Sequence, residues 1–247
     1  MKHGEKLLGY YNYTVILTYI GMLTGFIGIV YAFEGNSPQA VICLMIAGFC
    51  DMFDGTIAST NKNRTEQEKC FGIQIDSLSD LICFGVLPTS VVYSMSNRNY
   101  LVLAISAMYV LCALIRLAYF NVDEQERQKK CAGSRELYYG LPVTLSALIL
   151  PTIYGINSFI SSKMYISLTI SLLVTSVLFL LPFPLKKPRA FGKICVVLCG
   201  LAEVMLISFA SLAMIRKLFR PGQKLIRSMT LVRYKKPSSV QILEKPS

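Results

Sequence analysis

Residues 51–80 read DMFDGTIASTNKNRTEQEKCFGIQIDSLSD, and this stretch decides how the whole chain is interpreted. Two aspartates precede its polar centre and two follow it, namely Asp51, Asp54, Asp76 and Asp80. The flanking segments are apolar enough to cross a membrane, where a charged side chain near the centre costs roughly 2.5–3.5 kcal/mol. Neighbouring carboxylates also repel one another unless positive charge lies between them. The stretch therefore predicts a site for one or two divalent cations.

The composition is typical of a membrane protein with several spans. Hydrophobic residues make up 53% of the 247 positions and the mean hydropathy is +0.51, which is too apolar for an ordinary soluble domain. The net charge of +11 does not indicate nucleic-acid binding. The basic residues cluster between apolar segments and in the C-terminal tail, as the positive-inside rule requires, and no basic-aromatic face accompanies them.

Cysteine and histidine usage excludes several kinds of site. The eight cysteines include no CxxC pair, and most lie in apolar runs, where a free thiol behaves as a small hydrophobic group. We therefore expect neither a disulfide framework nor a zinc site. His3 is the only histidine, so acid–base chemistry by histidine is not expected.

Seven apolar segments are candidates for membrane spans, since about 20 residues at 1.5 Å each cross a ~30 Å hydrocarbon core. They cover approximately residues 11–33, 38–58, 71–95, 100–120, 140–159, 165–183 and 194–215. The sequence predicts an all-α, polytopic membrane bundle of six core spans plus this seventh run. The integral membrane domain is expected at residues 1–215, followed by a basic tail at 216–247.

Short signals predict where some of these helices begin. Ser37 is a good N-cap, and Pro38 suits the first position of the second span. The sequence TEQE at 65–68 has capping-box spacing and predicts a short surface helix inside the polar loop 59–70. The charged residues 121–139 are expected to form a loop.

The basic residues predict which side of the membrane the aspartates face. With the N terminus inside, most basic residues of the loops are cytoplasmic, and the opposite turns hold only Arg98 and Lys163. This bias places the aspartates at the cytoplasmic face. If the seventh run crosses the membrane, the basic tail lies on the outer side, against the positive-inside rule. The sequence leaves open whether that run crosses.

The aspartates lie on two helical stripes. Spacings of i, i+3, i+4 and i+7 on the second span, and of i, i+4 and i+8 on the third, each define one face. The residues on these stripes are Asp51, Asp54, Gly55 and Ala58, then Gly72, Asp76 and Asp80. Consecutive spans are antiparallel, so the stripes can meet at one end. Carboxylate oxygens favour Mg²⁺ or Mn²⁺ and also accept Ca²⁺, and two such ions can assist a phosphoryl displacement.

Two other interpretations fit part of this pattern. The aspartates could simply cap helix ends while the glycines permit close packing, but no comparable cluster of membrane-embedded cations accompanies the four carboxylates. A divalent-cation transporter would also place aspartates between helices. Its pathway would continue through the outer leaflet with polar residues, and the sequence shows no such line.

The spacing DxxDGxxA at 51–58, followed by GxxxDxxxD at 72–80, resembles the signature of the CDP-alcohol phosphotransferase family. That family is integral to the membrane and transfers a phospho-alcohol unit from a CDP-activated donor to a hydroxyl, releasing CMP. The stretches at 71–88, 116–121 and 140–142 resemble its phosphatidylserine synthase branch. The resemblance implies CDP-diacylglycerol and L-serine as substrates, with glycerol phosphate or an inositol compound as alternative acceptors.

The resemblance also implies roles for individual residues. All four aspartates would hold two divalent ions, and Asp80 would be the general base that accepts the proton of the serine hydroxyl. The CDP-diacylglycerol site would include Asp54, Gly55, Ala58 and Gly72. A homodimer is implied in the same way. The distribution of basic residues, by contrast, is what predicts an active site on the cytoplasmic side of the cell membrane, in contact with membrane lipids.

Two departures from the family pattern concern the donor phosphates. The family normally has arginine after the alanine of the motif, where this chain has Ser59, and the connection to Gly72 is longer than usual. We expect Lys62 or Arg64 in that connection to supply the missing charge. Arg116, near the cytoplasmic end of the fourth span, is a further candidate for contact with a phosphate or with serine. Alternatively, the Arg116 side chain only extends its guanidinium to the membrane–water interface.

Overall fold

The computed structural model describes residues 9–130, 137–160, 164–186, 199–203 and 205. Seven α-helices account for most of this part of the chain. They are α1 (Ile16–Phe33), α2 (Ser37–Thr60), α3 (Glu66–Asp80), α4 (Leu87–Met95), α5 (Tyr100–Lys130), α6 (Ser146–Ile160) and α7 (Met164–Leu180). A π-helical segment, Leu81–Val86, joins α3 to α4, and single 3₁₀ turns precede α1 and α6. Residues 199–203 are also helical.

The helical architecture that the sequence predicts is confirmed, with one local exception. β1 (Leu137–Tyr139) and β2 (Pro184–Lys186) form a two-stranded antiparallel pair. The prediction of an all-α chain missed this pair, because three-residue strands carry too little alternation to be recognised. The pair ties the connection before α6 to the segment after α7.

Within the residues that the structure describes, four helical stretches are long and apolar enough to cross a membrane. They are Tyr13–Phe33, Ser37–Thr60, Glu66–Met95 and Tyr100–Arg127. The chain is accordingly an integral membrane protein. The predicted fifth and sixth spans are the shorter apolar helices Val143–Ser158 and Met164–Leu180. Most of the seventh run and all of the basic tail lie outside the described residues.

Three predicted helix boundaries are wrong, and two of them have a local cause. The capping box at Thr65 is present, since its hydroxyl accepts from the Glu68 N–H at 3.2 Å and Glu68 accepts from the Thr65 N–H at 2.8 Å. It begins α3 itself, so the third span starts at Glu66 rather than at residue 71. The predicted loop 121–139 is helical to Lys130, where an i,i+3 pair between Arg127 and Glu124 (2.6 Å) supports the last turns of α5. α2 begins at Ser37, one residue before the predicted start.

Small residues bring α1 close to the elements that carry the aspartates. A Cβ placed on Gly21 would lie 3.2 Å from the Cβ of Cys50, and one on Gly28 would lie 2.8 Å from the Cβ of Cys43. Small residues permit such approach between helices in membranes, where packing rather than water drives association. α1 therefore forms one wall of the region in which the four aspartates lie.

The π-helical segment has a cause in the sequence. Pro88 has no N–H, so the carbonyl of Phe84 loses the donor that an α-helix would supply four residues later. The Leu87 N–H bonds instead to the carbonyl of Ile82, five residues back. Phe84 O accepts hydrogen bonds from Tyr109 Oη on α5 at 3.1 Å and from Ser146 Oγ at 3.3 Å. The widened turn comes directly after Asp80.

Candidate metal centre

Three carboxylates from two antiparallel helices converge on one point. Asp51 on α2 and Asp76 and Asp80 on α3 each direct one oxygen into a group whose members all lie within 4.8 Å of one another. Two oxygens bound to the same Mg²⁺ at 2.0–2.1 Å are at most about 4.2 Å apart. Small side-chain rotations therefore suffice for these oxygens to share an ion.

Asp54 lies next to these three aspartates and accepts a hydrogen bond from a residue of α1. Asp54 is 8% exposed, and its carboxyl lies beside that of Asp76 and accepts a hydrogen bond from Thr18 Oγ1 at 3.2 Å. The carboxyl groups of Asp51 and Asp80 are likewise neighbours. The helical stripes inferred from sequence are thus brought together: Asp51, Asp76 and Asp80 form the close group, and Asp54 joins it through Asp76.

The donor set fits a divalent cation. Oδ1 of Asp76 is buried and has no hydrogen-bond partner within the described part of the chain. The carboxylates surround a small cavity with room for about one water-sized particle. The part of its lining that the structure describes contains no lysine or arginine; besides the four aspartates it comprises Thr18, Gly21, Ala47, Cys50, Ser79, Cys83 and Phe84. Buried anions without cationic side chains between them are stabilised by metal ions. The oxygen ligands favour Mg²⁺, Mn²⁺ or Ca²⁺.

Space for a larger ligand lies beside this cavity rather than in it. Pockets for nucleotide-sized molecules usually exceed about 300 Å³, and this cavity holds only about one water-sized particle, so it accommodates an ion and not a cytidine nucleotide. A Cβ on Gly55 would meet no heavy atom within 4 Å, and one on Gly72 would meet only Arg64 Nη1 at 4.0 Å. Ala58, one turn after Gly55 on the same face of α2, is partly exposed. This side of the cluster is open to a substrate.

The structure separates the two basic candidates of the α2–α3 connection. Arg64 lies beside Gly72, and its Nε is buried without a hydrogen-bond partner among the described residues. Lys62 is exposed. Arg64 therefore borders the open surface at Gly72, and contact of either residue with the donor stays a prediction.

Arg116 lies elsewhere in the fold. It is 7% exposed, its Nε donates to the carbonyl of Leu141 at 3.3 Å, and its guanidinium lies 5.4 Å from the ring centre of Phe120. It is not among the residues that line the carboxylate cavity. These contacts attach the chain before α6 to α5, and its predicted contact with phosphate or serine stays a prediction.

Sequence reasoning missed two features around the cluster. Thr18 contacts Asp54 from α1, but a single threonine in an apolar helix gives no distinguishing signal. The π-helical segment after Asp80 could have been suspected from Pro88, because a proline inside a span deprives the carbonyl four residues earlier of its donor.

The fold and the cluster define a helical membrane protein with a group of aspartates, suited to holding a metal ion, between its second and third spans. A family model, CDP-alcohol phosphatidyltransferase, matches residues 11–182. The chain belongs to that family.

Three curated relatives are similar to this chain over half of its length or more. The chain is 27% identical over 193 residues to an archaetidylserine synthase of Methanothermobacter thermautotrophicus, covering 78% of this chain and 76% of the relative. It is 32% identical over 151 residues to a CDP-diacylglycerol–serine O-phosphatidyltransferase of Saccharomyces cerevisiae, covering 56% and 53%. A protein of the same name from Helicobacter pylori is 30% identical over 129 residues, half of each chain. The chain thus spans three quarters of the archaeal relative and about half of the other two.

Proposed function

We propose that this protein transfers a phosphatidyl group from CDP-diacylglycerol to the hydroxyl of L-serine, producing phosphatidylserine and CMP. The convergence of Asp51, Asp76 and Asp80 within 4.8 Å, in a chain of the CDP-alcohol phosphatidyltransferase family, is the observation that carries this proposal. The names of the relatives share serine as the acceptor and differ in the lipid. Serine is therefore favoured over glycerol phosphate or an inositol compound.

The four aspartates divide the chemistry between metal binding and proton transfer. Asp51, Asp54, Asp76 and Asp80 would hold one or two divalent ions, which offset the charge of the donor diphosphate. Asp80 accepts the proton of the serine hydroxyl while that oxygen bonds to the lipid-bearing phosphorus. The bond from this phosphorus to the bridging oxygen breaks, and the oxygen leaves with CMP.

The donor is proposed to bind across the open surface beside the cluster. Gly55, Ala58 and Gly72 leave room for the cytidine diphosphate next to Asp54. Arg64 then supplies the charge that the family arginine provides where this chain has Ser59. A guanidinium pairs with phosphate oxygens through two parallel hydrogen bonds. Lys62, which is exposed, contributes less.

The placement in the membrane is part of the same proposal. The acyl chains stay in the lipid while the nucleotide and serine reach the aspartates from the cytoplasm, as the distribution of basic residues predicts. Six core spans, a seventh crossing and a homodimer remain predictions of the sequence and its family resemblance.

The decisive experiment incubates the purified protein with CDP-diacylglycerol and a panel of labelled alcohols that contains serine, glycerol 3-phosphate and inositol. We expect phosphatidylserine and an equal amount of CMP. EDTA should abolish the reaction and Mn²⁺ or Mg²⁺ should restore it. Product with another alcohol alone would reassign the acceptor. Absence of CMP with every alcohol, together with Mn²⁺ flux into proteoliposomes, would instead support a cation transporter.

A further inference from the structure

The π-helical segment Leu81–Val86 decides which way Asp80 faces relative to the hydrophobic core. In an uninterrupted α-helix, Asp80, Leu87 and Val91 would share one face, at i, i+7 and i+11. Leu87 and Val91 are fully buried in the core, whereas Asp80 lines the carboxylate cavity beside Asp51. One extra residue in a helix rotates the turns before it by about 100° relative to the turns after it. The widened turn therefore allows Asp80 to face the cavity while Leu87 and Val91, later in the same helical stretch, face the core.

The carbonyl of Phe84 shows how this turn is stabilised. It is the carbonyl that Pro88 deprives of its α-helical donor, and it is buried, so leaving it unpaired would cost about 1–3 kcal/mol. Two hydroxyls from other elements replace the lost donor: Tyr109 Oη at 3.1 Å and Ser146 Oγ at 3.3 Å. Both residues are almost completely buried, with Tyr109 at 0% and Ser146 at 3% exposed.

The segment is also packed from both sides. Cys83 donates its thiol to the carbonyl of Gly21 on α1 at 3.4 Å. On the opposite side the ring of Tyr109 packs against Phe179, with ring centres 5.3 Å apart. A Cβ on Gly85 would lie 3.7 Å from that of Ala113 on α5. The packed ring of Tyr109 thus fixes its hydroxyl at the carbonyl of Phe84, which has lost its α-helical donor.

We propose that Tyr109 and Ser146 are positioning residues for Asp80, because their hydroxyls hold the π-helical turn that aims this carboxylate at Asp51 and the metal site. The inference rests on the proposed function and deepens it. Neither residue touches the aspartates in the described contacts; both act through the backbone of residues 81–86. Loss of the two donors relaxes the turn and rotates Asp80 out of the cluster while Leu87 keeps its place in the core.

The test measures Mn²⁺ binding directly, by the electron paramagnetic resonance signal of free Mn²⁺, in the full-length protein. Tyr109→Phe removes one hydroxyl, and the double variant Tyr109→Phe/Ser146→Ala removes both. We expect the double variant to bind Mn²⁺ about 10-fold more weakly, as when an outer partner of a metal ligand is lost. The single variant should fall between it and the parent. The KM for CDP-diacylglycerol at saturating Mn²⁺ should change less than turnover.

Matched controls separate positioning from general damage. Tyr154→Phe removes the hydroxyl of another buried tyrosine, and Ser176→Ala removes a buried serine hydroxyl that bonds within its own helix, to Leu172 O at 2.7 Å. Both should bind Mn²⁺ as the parent does. Thermal unfolding without metal checks that each variant is folded. Mn²⁺ binding that is unchanged in a folded double variant overturns the inference, whereas absence of Mn²⁺ binding in the parent overturns the proposed metal site itself.

Discussion

Thr18 on α1 donates its hydroxyl to Oδ2 of Asp54 on α2 over 3.2 Å, and both side chains are buried. This bond connects the first span to the carboxylate cluster and orients Asp54 beside Asp76. A buried carboxylate gains more from a hydrogen bond than a neutral acceptor does, about 1.5–3 kcal/mol. The first span therefore takes part in the site although it contributes no acidic residue.

Thr18→Val keeps the shape of the side chain and removes only its donor. We expect the Mn²⁺ concentration that gives half-maximal activity to rise about 10-fold, because Asp54 loses the bond that orients it. Thr24→Val is the matched control, since the exposed Thr24 hydroxyl bonds to Ile20 O in its own helix. Equal metal dependence of the two variants would show that the bond does not matter to the site.

Arg64 and Lys62 lie in the same connection and differ in surroundings. Arg64→Ala should raise the KM for CDP-diacylglycerol about 10-fold, the effect of losing one charge-assisted hydrogen bond. The KM for serine should stay close to that of the parent. Arg64→Lys should fall between, since lysine keeps the charge but not the two-pronged geometry.

Lys62→Ala is the control for this prediction, because the Lys62 side chain is exposed. Its donor KM should remain close to that of the parent. Two variants with unchanged KM values would mean that neither side chain replaces the arginine that the family places at position 59. A larger effect of Lys62→Ala than of Arg64→Ala would reverse their assignment.

Features of this protein that depend on residues close together in the sequence could be predicted. The carboxylate cluster could be predicted because helical periodicity fixes which of Asp51, Asp54, Asp76 and Asp80 share a face, and consecutive spans are antiparallel. The capping box at Thr65 could be predicted for the same reason, since it depends only on residues within one helical turn. Local spacing determines both features.

Features that depend on distant residues could not be predicted. Tyr109 and Ser146 meet the carbonyl of Phe84 only because α5 and the start of α6 pack on the π-helical segment. Helix α5 also continues to Lys130, beyond the predicted end of its span near residue 120. Hydropathy marks where a helix leaves the membrane and not where the helix ends. The strand pair joins residues on either side of α6 and α7, which no local pattern relates.

Asp80 is proposed as both a metal ligand and the general base, and Asp80→Asn tests the second role. The amide keeps an oxygen ligand but has no capacity to accept the serine proton. Turnover should fall by ~10²-fold or more, the usual range for a lost acid–base group, while CDP-diacylglycerol binding measured by competition remains. Near-normal turnover would reject Asp80 as the base. Loss of donor binding together with turnover would limit its role to holding the metal.

The contact between α1 and the π-helical segment allows a compensation experiment. A Cβ at Gly25 would lie 2.5 Å from Cys83 Sγ and 3.4 Å from its Cα, so Gly25→Ala forces the two elements apart. Such overpacking costs typically about 1–3 kcal/mol. We expect a lower thermal unfolding midpoint and weaker Mn²⁺ activation, since Cys83 lies three residues after Asp80. Adding Cys83→Ala removes the clashing sulfur and should restore most of both properties. If the double variant is no better than Gly25→Ala alone, the close approach of these two residues does not set the position of the turn.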